Sequence, residues 1–424
     1  MKHAMVFAFF AMSMIFSSAF AEEGLAAVSA ASKEWHAYID PLIPFGEQTV
    51  ALLPDAQDPQ LRQEVYRMLF MGMSTAYMGL FLGDPEYPDF WSVTNQAHNW
   101  LAPNPDDVYY SAPLVGNGVY KISGFRGTVR LVDIQIGSGT FFSRGTGAGT
   151  LGPNVGNPDF DHLHFRKDGY FEVVLSQERP PGYKGDWWRL DQKAAYIFVR
   201  QISYDWLHEV DGRFAIERLD RAAIKPRSNA QTIEANLRQI ARWTENWTKF
   251  AADHINNLRA KGLINKLEVF DLSGFGGVTT QRYIEGAFEL NPGEALIYET
   301  EVPKQCRYWN IQLNDALWST IEYMNRQTSL NGYTARLDKD GKFRAVISAA
   351  DPGVPNWLDT AGYATGTLDG RWTKCSSTPT PTLTKIKLAD VRKYLPADTP
   401  TVSDAERDTA IRLRRQGAQL RRRW

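Results

Sequence analysis

Cysteine is scarce: the 424 residues hold two, Cys306 and Cys375. That excludes a small disulfide-stapled scaffold and a metal cluster built on thiolates. Histidine is sparse as well, at seven. Only His162 and His164 fall at a metal-like spacing, and two imidazoles ahead of a turn do not make a site, so no metal is expected. An excess of one charge is missing, with Lys+Arg 47 against Asp+Glu 48. No general field therefore steers the chain to nucleic acid or to an acidic membrane. Beyond Ala21 no uncharged run is long enough to span a bilayer. The glycines between Gly137 and Gly152 lead into no helical pattern and so form no phosphate loop. No Gly-x-Ser-x-Gly occurs, and Asp338-Lys-Asp340-Gly341 lacks the later ligands of a calcium loop. No motif asks for a cofactor.

What is present is a globular composition rich in rings, 43% hydrophobic and 12% aromatic. The length suggests two or three domains. Lys2 and His3 precede an uncharged run from Ala4 to Ala21 that ends in Ala19-Phe20-Ala21, the pattern of a secretory signal cut after Ala21. A periplasmic or secreted protein is expected, with no membrane-spanning segment once the signal is gone. In such a compartment Cys306 and Cys375 can pair, or they can stay as separate buried thiols.

The chain reads as one unit written twice. Arg130-Leu-Val-Asp133-Ile-Gln135-Ile matches Arg307-Tyr-Trp-Asn310-Ile-Gln312-Leu. Lys167-Asp168-Gly169 and Lys339-Asp340-Gly341 each sit before an apolar alternating run, a hairpin signal. Trp188 with Asp191, and Trp357 with Asp359, close the copies. Further strands are expected at Val119 to Ser123, Ala195 to Ile202, Arg282 to Leu290, Ala295 to Glu301 and Thr334 to Leu337. Gln60 to Leu82 is apolar nearly all round, as a buried helix would be. Asn229 to Lys261 reads as a long helix with a capping box on Ser228 and a stop at Gly262. The expected fold is mainly β with helices: two related sandwich units of jelly-roll kind joined by that helix. The expected division is a signal (1–21), an N-terminal α+β unit (22–225), the connecting helix (226–262), a C-terminal sandwich (263–400) and a basic C-terminal helix (401–424). That last segment either docks on an anionic surface or pairs with acids on its own body.

The run Arg307 to Trp372 resembles a bacterial family known as domain of unknown function 1214. The words that carry it are Tyr308-Trp-Asn-Ile-Gln-Leu313, Asn325-Arg-Gln-Thr-Ser-Leu-Asn-Gly332, Asp351-Pro-Gly-Val-Pro-Asn-Trp-Leu-Asp359 and Gly370-Arg-Trp372. More loosely, the first half resembles the companion family 1254 through Asn104-Pro-Asp106-Asp-Val-Tyr109 and Arg144-Gly-Thr-Gly147. The resemblance implies a jelly-roll sandwich in the second half and a related β-rich unit in the first. It implies no agreed activity.

Alternation places Asp133 and Gln135 on one face of a strand, opposite Val132, Ile134 and Ile136. Asn310 and Gln312 repeat the pattern in the second copy. These polar pairs either line a ligand groove or form a buried hydrogen-bond network. Only Asp133 of the matched pair can titrate, so acid–base work is expected in the first copy. The segment from His98 to Tyr110 gathers an imidazole, carboxylates, an amide and phenols on a proline-rich loop. His98, Asp106, Tyr109 and Asp133 are the candidate catalytic groups, with Asn104 and Tyr110 beside them as binding groups. The alternative for this segment is a capped turn covering a sandwich edge. Asn325, Arg326, Asp351, Asn356, Trp357 and Asp359 are binding candidates in the second half, suited to a sugar ring or an anion, or else they build a rigid turn around a core plug. Of the functions these residues allow, an enzyme of hydrolase or lyase type on a small or sugar-like envelope substrate comes first. A non-catalytic protein that holds a glycan or lipid comes second, and an assembly role third. The expected partner is a small molecule or glycan, not nucleic acid, and nothing selects an oligomeric state.

Overall fold

The computed structural model describes residues 33–53, 56–139 and 151–421. The expected signal (1–21) and the Arg144 to Gly147 stretch lie outside the described residues.

Period-two alternation builds two sandwiches. The first has strands β1 (Asp107–Pro113), β2 (Tyr120–Phe125), β3 (Leu131–Gly139), β4 (Leu151–Gly156), β5 (Tyr170–Ser176), β6 (Asp186–Arg189), β7 (Tyr196–Ile202) and β8 (Arg213–Arg218). Its inner sheet runs β1-β7-β3-β4 and its outer sheet β6-β5-β2-β8. Val108, Val132, Ile134, Ile197 and Val199 of the inner sheet pack on Tyr120, Ile122, Phe171 and Val173 of the outer one. Each such burial contributes roughly 1.5–3 kcal/mol.

The second sandwich has β9 (Glu268–Phe270), β10 (Gln281–Glu289), β11 (Glu294–Glu301), β12 (Cys306–Asn314), β13 (Ser329–Asn331), β14 (Lys342–Ser348), β15 (Trp357–Asp359), β16 (Thr365–Cys375) and β17 (Thr382–Lys387). Its inner sheet runs β13-β12-β16-β10-β9 and its outer sheet β15-β14-β11-β17. In each outer sheet one short strand pairs in parallel, β6 on β5 and β15 on β14. Each Asp-Gly turn behaves alike: Gly169 and Gly341 take φ of 80°, a left-handed conformation that glycine adopts without strain. Asp168 and Asp340 accept the backbone N–H two residues on, at 3.0 and 3.1 Å.

The inner sheets turn their polar faces toward each other. Arg130 donates through Nε to the carbonyl of Arg307 at 2.5 Å, and Arg307 donates back to the carbonyl of Arg130 at 2.8 Å.

Among the described residues five α-helices flank the sheets: α1 (33–39), α2 (Phe45–Leu52), α3 (Pro59–Leu82), α4 (Ala230–Ala260) and α5 (Asp404–Leu420). Helix α4 spans both sandwiches. Its Trp243 and Trp247 pack with Trp100, Tyr109 and Tyr196 of the first unit, and its Ile255 and Leu258 pack on Ala287 of β10. The mainly β architecture with two sandwiches and a long intervening helix is as expected; three details differ. The α4 cap is Asn229, which accepts from Thr232 N at 2.8 Å, because a cap side chain reaches the third residue of the helix and Asn229 stands three before Thr232. Helix α3 is buried on one face only: Phe70 is 72% and Tyr77 54% exposed, while Val65, Met68, Ala76 and Leu80 meet α2 and α4. Thr334 to Leu337 is not a strand, since the Asn331 side-chain oxygen Oδ1 captures the N–H groups of Tyr333 and Thr334, both at 2.9 Å, and bends the chain.

The basic C-terminal helix pairs with its own body. Arg407 meets Asp351 at 2.8 Å and Arg421 meets Asp211 at 2.9 Å. Cys306 and Cys375 face each other across β12 and β16 and form a disulfide that spans 69 residues. Replacing both by serine is expected to lower stability in urea by about 2–4 kcal/mol, by restoring loop entropy to the unfolded chain; an unchanged urea midpoint would show that the bond adds nothing.

Candidate functional site

Where the inner sheets meet, the polar faces divide into a sealed joint and a cavity. In the joint, Asp106 is 2% exposed. It accepts from Trp206 Nε1 at 2.8 Å, the Tyr308 hydroxyl at 2.7 Å and Asn331 Nδ2 at 2.8 Å. Asn104 donates to Tyr308 at 2.7 Å and accepts from Asn310 Nδ2 at 2.8 Å. Gln312 accepts from Arg371 Nη1 at 2.7 Å and donates to the Ala102 carbonyl at 3.2 Å. Arg421, from the end of α5, closes the joint by donating to the carbonyls of Asp106 and Gln201 at 2.6 and 3.0 Å.

Beside the joint lies a cavity of about 740 Å³, within the size range of small-molecule sites. Its apolar wall includes Trp100, Phe198, Phe250, Leu258, Phe270 and Trp318. Its polar wall comes from both sheets: Asp107, Tyr109, Gln135 and Arg200 from the first, Tyr283, Glu285, Asp369 and Arg371 from the second. Helix α4 adds His254, and Lys261 follows at its end. Register makes the two sets counterparts, with Arg200 opposite Tyr109 and Asp133, and Arg371 opposite Tyr283 and Asn310.

The backbone at the cavity is unusual. Leu101, Ala102 and Trp318 all line it and all have left-handed φ, at 58°, 47° and 57°. Ala102 N donates to the Trp318 carbonyl at 2.7 Å, so one loop of each unit holds the other in this conformation. Non-glycine residues pay for such geometry, and it concentrates at functional sites.

Electrostatics separate the polar groups. Burial pushes the Asp107 carboxyl up to about 7, against the pull of Arg371 and Arg200. Glu285 also rises to about 7, through burial and the neighbouring Asp369. Burial lifts Asp369 too. Tyr109 stands well above the ordinary phenol range because it is buried beside Asp107. His254 falls to about 4 through burial and the nearby Lys261 ammonium; its ring stacks on Trp318 at 3.8 Å. The two arginines differ. Arg371 is tied to Gln312 and to Ala102. Arg200 leans over the Phe198 ring at 4.5 Å, and among the described residues it has no carboxylate within 4.0 Å and no partner for Nη1.

Of the residues read from the sequence, Tyr109 and Gln135 reach the cavity. Asn104, Asp106, Asn310 and Gln312 form the joint instead. His98 lies against α3, with Nε2 at 3.2 Å from the Ser74 hydroxyl. Tyr110 faces the first sandwich core. Asp133 is buried on the polar face beside Arg200 but off the cavity wall. The second-half set lies elsewhere. Asn325 and Arg415 bond each other, and Arg326 pairs with Asp359 at 2.7 Å. Asp351 holds Arg407, and Asn356 ties strand to loop through Arg336 and Arg344. Trp357 is buried beneath Arg407 and donates to the Ser348 carbonyl at 3.1 Å. His98, Asp106 and Tyr109 thus do not converge. Arg200, Glu285, Asp369 and His254 were missed; the available signal was an arginine inside the apolar strand Tyr196–Ile202.

Fold and cavity together define a double β-sandwich with a ligand-sized pocket between its halves. Residues 293–368, in the second sandwich, match the family described as "Protein of unknown function (DUF1214)". This match does not reach the first half, where the looser likeness to the companion family was read. No curated protein matches the sequence. An uncharacterised protein from Burkholderia cenocepacia is 29% identical, with 85% of this chain and 98% of that one aligned at a TM-score of 0.77. A Vibrio parahaemolyticus protein, 11% identical over 76% of this chain and 99% of its own, aligns at a TM-score of only 0.41.

If Asp106 holds the joint, Asp106→Ala strands three buried donors and lowers stability in urea by about 3 kcal/mol or more, and Tyr308→Phe by about 1–2 kcal/mol. Full stability in Asp106→Ala would remove the structural role given to it.

Proposed function

We propose that the chain binds a small amphipathic organic anion in the cavity between its sandwiches. The observation that carries this is Arg200, a guanidinium on the cavity wall without an ion-pair partner among the described residues, set next to an aromatic surface. Apolar walls with a few convergent polar groups are the ordinary form of a small-molecule site, and a guanidinium suits a planar carboxylate. The buried position of Trp357 moves the reading away from sugar stacking. An acid–base enzyme of hydrolase or lyase type is the second reading, favoured by the placing of Asp107 and Glu285 on the cavity wall, where burial pushes both carboxyls up to about 7, the range in which a general acid or base works best.

We infer also that the chain is exported, for which the Cys306–Cys375 disulfide is support beside the N-terminal sequence. Duplication of one sandwich is supported by the shared strand order and the reciprocal Arg130 and Arg307 contacts.

Octanoate is expected to raise the melting temperature and octanol to leave it nearly unchanged, with Arg200→Gln weakening octanoate binding by roughly ten- to a hundredfold. Equal shifts from acid and alcohol would sink the anion reading. Affinity also depends on pH. Asp107 faces Arg371, Arg200, Asp106, Tyr109 and Tyr308, and Glu285 faces Asp369, Lys261, Glu268 and His254. Both carboxyls gain negative charge above about 7, so octanoate affinity falls as pH rises through that value and binding takes up protons. Calorimetry in buffers of different ionisation enthalpy reads that uptake directly.

A further inference from the structure

We infer that the bound anion carries a hydrogen-bond donor, a hydroxyl or N–H, close to its anionic group, and that Gln135 selects for it. This rests on the anion reading above.

Gln135 lines the cavity and is 1% exposed. Its Nε2 is committed to the Gly276 carbonyl and, at 3.4 Å, to the Tyr196 hydroxyl. The amide cannot be turned over, because its oxygen would then oppose the carbonyl of Gly276, which accepts only. In this fixed orientation Oε1 has no donor among the described residues. Buried acceptors without a donor are rare in native proteins and each asks for an explanation.

The counterpart in the second sandwich sharpens the point. Gln312 occupies the matching strand position, and its Oε1 receives Arg371 Nη1 at 2.7 Å. In the first sandwich neither half of that bond is made: Gln135 Oε1 and Arg200 Nη1 both lack partners among the described residues. One acceptor and one cationic donor, buried on the neighbouring strands β3 and β7 of one sheet face, thus lack partners together among the described residues. A plain carboxylate satisfies Arg200 and leaves Gln135 unmatched. A hydroxy acid or an acylated amino acid satisfies both, with its donor a few bonds from the carboxylate, since residues at this cross-strand offset lie only some 7–8 Å apart.

Matched pairs of probes test this on the full protein: 3-hydroxyoctanoate against octanoate, and 3-phenyllactate against 3-phenylpropionate, titrated by calorimetry into the wild type and into Gln135→Met and Gln135→Leu. The wild type is expected to prefer the hydroxy acid of each pair by roughly ten- to a hundredfold, the usual cost of leaving a buried polar group unpaired. In the variants, whose melting curves verify folding, each pair binds alike. Equal binding of both pair members to the wild type overturns the Gln135 inference while leaving the anion site standing. A preference that survives in both variants assigns the selection to another group and overturns it too. Binding of no acid at all defeats the anion reading, and this inference with it.

Discussion

The whole arrangement depends on two sheets burying polar faces against each other. An apolar core penalises voids and strain, and a polar interface between sheets adds a second constraint, because each unmatched donor or acceptor costs about 1–3 kcal/mol. The protein meets that constraint on one side with the Asp106 joint, where one carboxylate takes hydrogens from Trp206, Tyr308 and Asn331. On the other side it leaves room. The same strands that knit the joint continue into the cavity wall, so the joint fixes how far apart Arg200 and Arg371 stand. Helix α4 and the two left-handed loop segments at Leu101–Ala102 and Trp318 complete the enclosure.

Much of this was legible in the residues. Alternation in Leu131 to Ile136 separated a core face from a polar face, and the polar face carries both alternatives weighed for it: Gln135 on the cavity wall, Asn310 and Gln312 in a hydrogen-bond network. Glycine after aspartate marked both turns. The dense loop from His98 to Tyr110 does lie at the heart of the molecule, yet its side chains scatter, since the chain turns between Asn104 and Asp107, where Asp107 N donates to the Asn104 carbonyl, and only then enters β1. Asp106 goes to the joint and Asp107 to the cavity. That one-residue difference cannot be read before the register of β1 against β7 is known.

The groups that were not legible share a cause. Arg200, Glu285, Asp369 and His254 come from four distant segments and meet only because two sheets stack and a helix crosses them. Nothing local distinguishes Glu285 from any exposed strand glutamate until burial and Asp369 move its titration. Conversely, Trp357 with Asp351 and Asp359 allowed either a binding surface or a turn around a core plug, and burial decides for the plug, with Arg407 of α5 over the Trp357 ring and bound to Asp351. Sequence density of polar and aromatic groups signals a place where the chain is constrained, and ligand contact is only one source of constraint.

The proposed organic anion on Arg200, in the space between the sandwiches, can be looked for directly. Crystals grown with 4-iodophenylacetate, measured at a wavelength where iodine scatters anomalously, locate both ends of the probe at once. An iodine peak is expected inside the cavity, among the side chains of Phe198, Phe250 and Trp318, with the carboxylate at about 3 Å from the Arg200 guanidinium. A probe that saturates the protein in solution but gives its iodine peak outside the cavity would contradict it.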